Sequence, residues 1–224
     1  MIAKKLQQPQ FIWSVLIPIG TLVFFTSLFI ASIFYYRGRS FSPRDAVISK
    51  LQSAFDNPSG YLIAAAGTAG CALLILPAAR LFFVGLRHVN RRLAAAGSVL
   101  TALGLLLAVV VVGLAPFFGP YDTLHIVLAF ATFIALSVGL TLCLGLAAWS
   151  TRRVGLMLMT LIQFTALLVL VYMLFSPDFP PERSLLTSLA FLEWCLCLAL
   201  GASIVSLTAL LAASAPPKTW QADQ

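Results

Sequence analysis

A chain of 224 residues that is 61% hydrophobic and 9% charged cannot have water as its main solvent, because a soluble domain carries about 25% charged residues. Its net charge of +7 comes from 14 Lys and Arg against 7 Asp and Glu, scattered through short breaks between apolar runs. A nucleic-acid-binding domain is thereby excluded. So is a separate soluble catalytic domain, since no polar stretch exceeds roughly 25 residues, too few to form a core of its own.

About 20 apolar residues cross a hydrocarbon core of roughly 30 Å. Runs of that kind occur near residues 12–35, 61–84, 94–116, 123–148, 154–175 and 185–212. They predict an all-α fold: a polytopic transmembrane helical bundle of about six spans, forming one domain over residues 1–224. The first run comes after Lys4 and Lys5, as in a signal peptide. It continues from Phe11 to Tyr36 with no small-residue cleavage site, too long for a signal h-region, and is read as a retained span.

The first connection carries Ser42-Pro43-Arg44-Asp45, an N-cap, a proline at the first helical position and an acid in the first turn. Val47, Leu51, Ala54 and Phe55 recur at spacings of three and four, with Arg44, Lys50 and Gln52 elsewhere. This pattern predicts a short amphipathic helix lying at the membrane surface. Asn57-Pro58-Ser59-Gly60 is a turn that opens span two. Small residues four apart (Ala66 with Gly70, Gly97 with Thr101, Gly104 with Ala108) predict close helix packing.

Span three ends at Pro116 and the Phe117-Phe118-Gly119-Pro120 corner. Trp149-Ser150-Thr151-Arg152-Arg153 forms a hairpin before span five, and Pro177, Pro180 and Pro181 break the chain before span six. With both termini cytoplasmic, that side receives Lys4, Lys5, Arg80, Arg87, Arg91, Arg92, Arg152, Arg153 and Lys218, as the positive-inside rule requires. Arg37, Arg39, Arg44 and Lys50 of the first connection are the exception. The localisation is a multi-pass membrane protein, in a bacterial inner membrane or a eukaryotic membrane.

Cys71, Cys143, Cys195 and Cys197 all lie within apolar runs and are read as small hydrophobes, without metal or redox spacing. No metal and no cofactor is expected, since His88 and His125 fall on opposite sides of the bilayer. Among the acids, Asp45, Asp56, Asp122, Asp178 and Glu182 fall in outer connections and Asp223 in the tail. Only Glu193 lies inside a span, on a face continued by Ala190, Cys197 and Gly201. An ionisable group at that depth faces the bundle interior or a wet cavity with a partner. The expected partner is His125, which approaches from the same outer side after Tyr121 and Asp122. The pair reads either as a tie between spans four and six or as a proton-transferring or headgroup-binding site. The candidate ligand-binding set is Glu193, His125, Asp122, Tyr121 and Asp56, with His125 and Glu193 as the only catalytic candidates. Gln163 is expected to hydrogen-bond across helices, and Tyr121, Trp149 and Trp194 to anchor the interfaces.

The layout resembles the Frag/DRAM/Sfk group of six-span membrane proteins and related bacterial six-span proteins. Ile48-Ser49 with Asn57-Pro58-Ser59 after it, the Phe117 to His125 corner, the Arg152-Arg153 hairpin and Glu193-Trp194 carry the resemblance; Lys50 and Ser59 stand where acidic residues would be expected. The resemblance implies lipid handling, autophagy regulation or scaffolding of lipid enzymes. The expected function is therefore lipid sensing, homeostasis or scaffolding, with membrane lipids and a protein as partners, rather than an enzyme. The alternative is a membrane-embedded enzyme or proton-coupled transporter using the His125 and Glu193 pair.

Overall fold

The computed structural model describes residues 8–35, 48–115, 117, 122–175 and 189–214. Every regular element among them is a helix. Hydrocarbon offers no hydrogen bonds, so each backbone N–H and C=O must be satisfied within its own segment, which a helix achieves. The helices are α1 (Pro9–Phe34), α2 (Ile48–Leu51), α3 (Tyr61–Leu86), α4 (Arg91–Leu114), α5 (Thr123–Thr151), α6 (Val154–Phe175) and α7 (Leu189–Ser214). Among the described residues, α1, α3, α4, α5 and the Ala190–Ser214 part of α7 are long and apolar enough to cross a membrane, five in all. Helix α6 has 22 residues and contains the apolar stretch Val154–Val169. Leu22 and Phe29 on α1 are each 67% exposed, a surface that water would not tolerate over so many helices but that lipid solvates.

Local chemistry sets the irregularities. Pro18 has no N–H and its ring crowds the carbonyl four residues earlier. One turn before it, Ile12–Leu16 widens into a π-helix, the form in which a helix absorbs such a mismatch. Pro77 likewise divides α3 into Tyr61–Ile75 and Pro77–Leu86. Asn90 and Asp122 cap α4 and α5 by accepting from Leu93 N at 3.1 Å and Leu124 N at 2.9 Å, and α5 ends on Arg152 in the left-handed region, φ 51°.

Helices α4 and α5 meet through glycine. A methyl on Gly97 would lie 2.7 Å from Cys143 Sγ, and one on Gly104 would lie 2.6 Å from Leu136 Cγ. The small-residue stripe of span three therefore is the packing face, with Thr101 fully buried on it. On α3 Gly70 packs as expected, but its expected partner in the stripe is shifted by one residue. Ala66 is exposed, and Gly67 is the residue that sits against Ser27 of α1, with Gly70 touching Val23. A single step along a helix rotates the side chain by about 100°, enough to exchange lipid face for interior.

The first connection departs most from expectation. Its Ser42 to Val47 portion lies outside the described residues. The next residues form one helical turn, α2, with Ile48 and Leu51 buried. Leu51 packs with Leu28, Ala31, Ile48 and Ala64, while Trp194 and Cys197 of α7 cover that cluster. Phe55, expected on the same apolar face, is 72% exposed, because the helix ends at Leu51 and the chain turns. The described part of the connection, from Ile48 onward, is thus a plug seated among α1, α3 and α7. Trp194 helps to bury it, which is more than the role of an interface anchor.

Candidate functional site

Glu193 is half-buried in the second described turn of α7. Its Oε2 accepts a hydrogen bond from the backbone N–H of Ile48 at 2.9 Å. Ile48 is the first described residue of α2, and its N–H finds its partner in the side chain of another helix. A carboxylate two residues from Phe191 and one from Trp194 would be costly in an apolar span; here its charge meets a backbone dipole aimed at it. The result is a tether between the first connection and the last helix, across 145 residues of sequence.

The expected partner of Glu193 is therefore displaced. His125 is buried, 7% exposed, and its charged neighbour is Asp122, one turn earlier on α5. Among the described residues no hydrogen bond or ion pair joins it to Glu193. Helix register explains this. Gly145 of α5 faces Thr160 of α6, with 3.9 Å to its methyl from a Cβ at the glycine, and Gln163 of α6 bonds Ser203 of α7. Carried through, these contacts place Glu193 level with Thr132. His125 stands seven residues nearer the end, about 10 Å along the axis at 1.5 Å per residue. Asp122 is exposed and its carboxylate is occupied as a cap. Asp56 is half-buried in the turn after α2, where its N–H reaches Ser53 Oγ at 3.3 Å. Tyr121 lies outside the described residues.

Two further polar residues complete the plug, and neither stands out in the sequence as a site residue. Asn57 is wholly buried. Its Nδ2 donates to Ala31 O at 3.1 Å and Leu51 O at 3.0 Å, and its Oδ1 accepts from Gly60 N at 3.1 Å. Gln52 donates to Thr68 Oγ1 at 2.7 Å, well inside α3. The signal for Asn57 was the Asn-Pro-Ser-Gly turn, since an Asx side chain commonly closes such turns on its own backbone. Gln52 carried no comparable signal, because its place among polar residues reads as a solvated face.

Deeper in the bundle, Gln163 bonds to Ser203 at 3.0 Å, the cross-helix tie expected of it. Ser203 Oγ also reaches Ala199 O at 2.8 Å. One hydroxyl proton cannot serve both acceptors, so either end of the buried amide is left with at most one bond; Nε2 has none. A single hydrogen bond worth about 1 kcal/mol is then offset by an unpaired polar group costing about as much. Gln163→Leu should shift stability by less than about 1 kcal/mol, whereas Ser203→Ala, which strands the whole amide, should lose about 2 kcal/mol. Thermal unfolding of the two purified variants checks the contrast, and a larger loss for Gln163→Leu would refute it.

All four cysteines are free thiols, with Cys143 buried against Gly97 and Cys195 exposed. No family model, curated protein or solved structure matches the chain.

Proposed function

We propose that this chain is an integral membrane protein of six spans with both termini cytoplasmic, and that it engages lipid at the end of the bundle closed by the plug. The count takes α6 as a span, in keeping with its 22 residues and apolar stretch. The orientation rests on the arginines of the α3–α4 and α5–α6 turns. Lipid sensing, homeostasis or scaffolding, the roles implied by the resemblance to the Frag/DRAM/Sfk group, suit a bundle whose long helices are apolar enough to cross a membrane.

One observation carries the reading: the Glu193 carboxylate holds the first connection through the Ile48 N–H at 2.9 Å. A headgroup that donates hydrogen bonds or brings an ammonium can compete for that carboxylate, so binding and the seating of the plug become coupled. Exposed Phe55 offers such a lipid an apolar contact on the same connection. A catalytic reading would require Glu193 and His125 to face one reacting atom, and their axial offset of about 10 Å disfavours it.

Purified protein should discriminate among headgroups in a lipid-binding measurement. Glu193→Gln keeps an acceptor for Ile48 but loses the charge, and should weaken the preferred lipid about tenfold, the worth of one charge-assisted hydrogen bond. Absence of any headgroup preference, or an unchanged preference in Glu193→Gln, would count against the proposal.

A further inference from the structure

The end of the bundle opposite Glu193 collects positive charge on two turns. Arg87 lies in the α3–α4 turn, Arg91 and Arg92 open α4, and Arg152 and Arg153 form the α5–α6 turn; all five are exposed. The glycine contacts between α4 and α5 bring these turns together. Gly97 stands against Cys143 and Gly104 against Leu136, so the two helices run antiparallel, and the same register sets Arg91 level with Trp149. Among the described residues, none of these five guanidinium groups has an ion-pair partner. The described acids, Asp56, Asp122 and Glu193, all belong to the other end. Both turns are ordered: Asn90 caps α4, Val89 N bonds Leu86 O at 2.9 Å, and Arg152 N bonds Ala148 O at 2.8 Å.

We infer that this face is a binding platform for the phosphate headgroups of anionic phospholipids. A charge excess that served topology alone would need only to lie somewhere in the connecting loops. Here five arginines converge on one rim, and each presents a planar fork suited to two phosphate oxygens. Trp149 stands beside them, 81% exposed, in the manner of an indole held at the headgroup level with its ring toward the acyl chains. An acidic soluble partner would meet the same charge, but Trp149 on a lipid-facing helix end favours the membrane itself as the occupant. This inference is independent of the Glu193 proposal, which concerns the opposite end.

The test uses the full chain with Trp149 as its one fluorophore (Trp13→Phe, Trp194→Phe, Trp220→Phe), reconstituted in phosphatidylcholine with a minor fraction of brominated lipid. Brominated phosphatidylglycerol should quench Trp149 at a lower mole fraction than brominated phosphatidylcholine. Arg91→Gln, Arg92→Gln, Arg152→Gln and Arg153→Gln together should abolish the difference, at roughly fivefold per arginine. These changes also weaken the topology signal, so a salt titration of the unmodified arginines serves as the second arm. Because screening shortens to about 3 Å at 1 M salt, the preference should disappear there. Equal quenching by the two lipids at low salt, a preference that survives 1 M salt, or one that survives loss of the four arginines would each overturn the inference.

Discussion

Gly139→Val should lower the stability of the bundle by about 3 kcal/mol, at the upper end of what overpacking costs. Gly139 sits where α5 crosses α4. A Cβ there would lie 2.6 Å from Thr101 N, 2.7 Å from Thr101 Oγ1 and 2.8 Å from Gly97 O. Two of those three are backbone atoms, so no rotamer change relieves the clash and the helices must separate. Separation would also release Leu140, Cys143, Leu144 and Ala147 on the same helix, all fully buried. In lipid no hydrophobic drive restores such a contact, since the acyl chains are as apolar as the side chains released. Gly201→Ala is the matched control. Gly201 is exposed with nothing within 4 Å of the added methyl, so it should gain up to about 1 kcal/mol from helix propensity. Unfolding in mixed micelles against increasing dodecyl sulfate reads both. A Gly139→Val midpoint equal to that of the parent would show that the α4–α5 crossing is not the structural centre of the bundle.

The apolar runs made the helices legible because the constraint that forms them acts along the sequence. Predicted limits of 61–84, 123–148 and 154–175 meet Tyr61–Leu86, Thr123–Thr151 and Val154–Phe175. The Gly97 and Gly104 stripe was legible for the same reason, as spacing along one helix face. What the sequence conceals is which groups meet across helices. Glu193 was identifiable as the one acid within a span. Its partner was not, because depth in a bundle depends on helix register, and the nearest ionisable residue by connection, His125, falls about two turns away. The true partner of Glu193 is the backbone N–H of Ile48, a group that every residue except proline carries and no sequence pattern marks. The first connection misleads by a similar route. Apolar spacing at Leu51 and Phe55 reads alike for a surface helix and a plug, and the difference between a buried Leu51 and an exposed Phe55 arises from where the helix stops. That stop is tied to Ser53, whose hydroxyl accepts from Phe55 N at 3.2 Å and Asp56 N at 3.3 Å and so turns the chain.

Asn57→Ala should cost about as much as the glycine substitution, roughly 3 kcal/mol at about 1 kcal/mol for each of three hydrogen bonds lost. The amide joins three elements at one point: the end of α1 through Ala31 O, the end of α2 through Leu51 O, and the start of α3 through Gly60 N. The space around it is closed, since a methyl on Gly60 would stand 2.7 Å from Asn57 Nδ2 and 3.0 Å from Ala31 O. Asn57→Asp separates the contributions. It keeps an acceptor for Gly60 N but sets a carboxylate oxygen against the carbonyls of Ala31 and Leu51, so it should be no better tolerated than alanine. Because the plug is also held by Glu193, the loss should appear first as release of the first connection, with the helices still packed. Limited proteolysis between Ile48 and Tyr61 should accelerate in both variants, at detergent concentrations where the α4–α5 contact survives. Unchanged protection of that segment in Asn57→Ala would mean that Leu51 and Trp194 hold the plug by packing alone, and that the amide hub is dispensable.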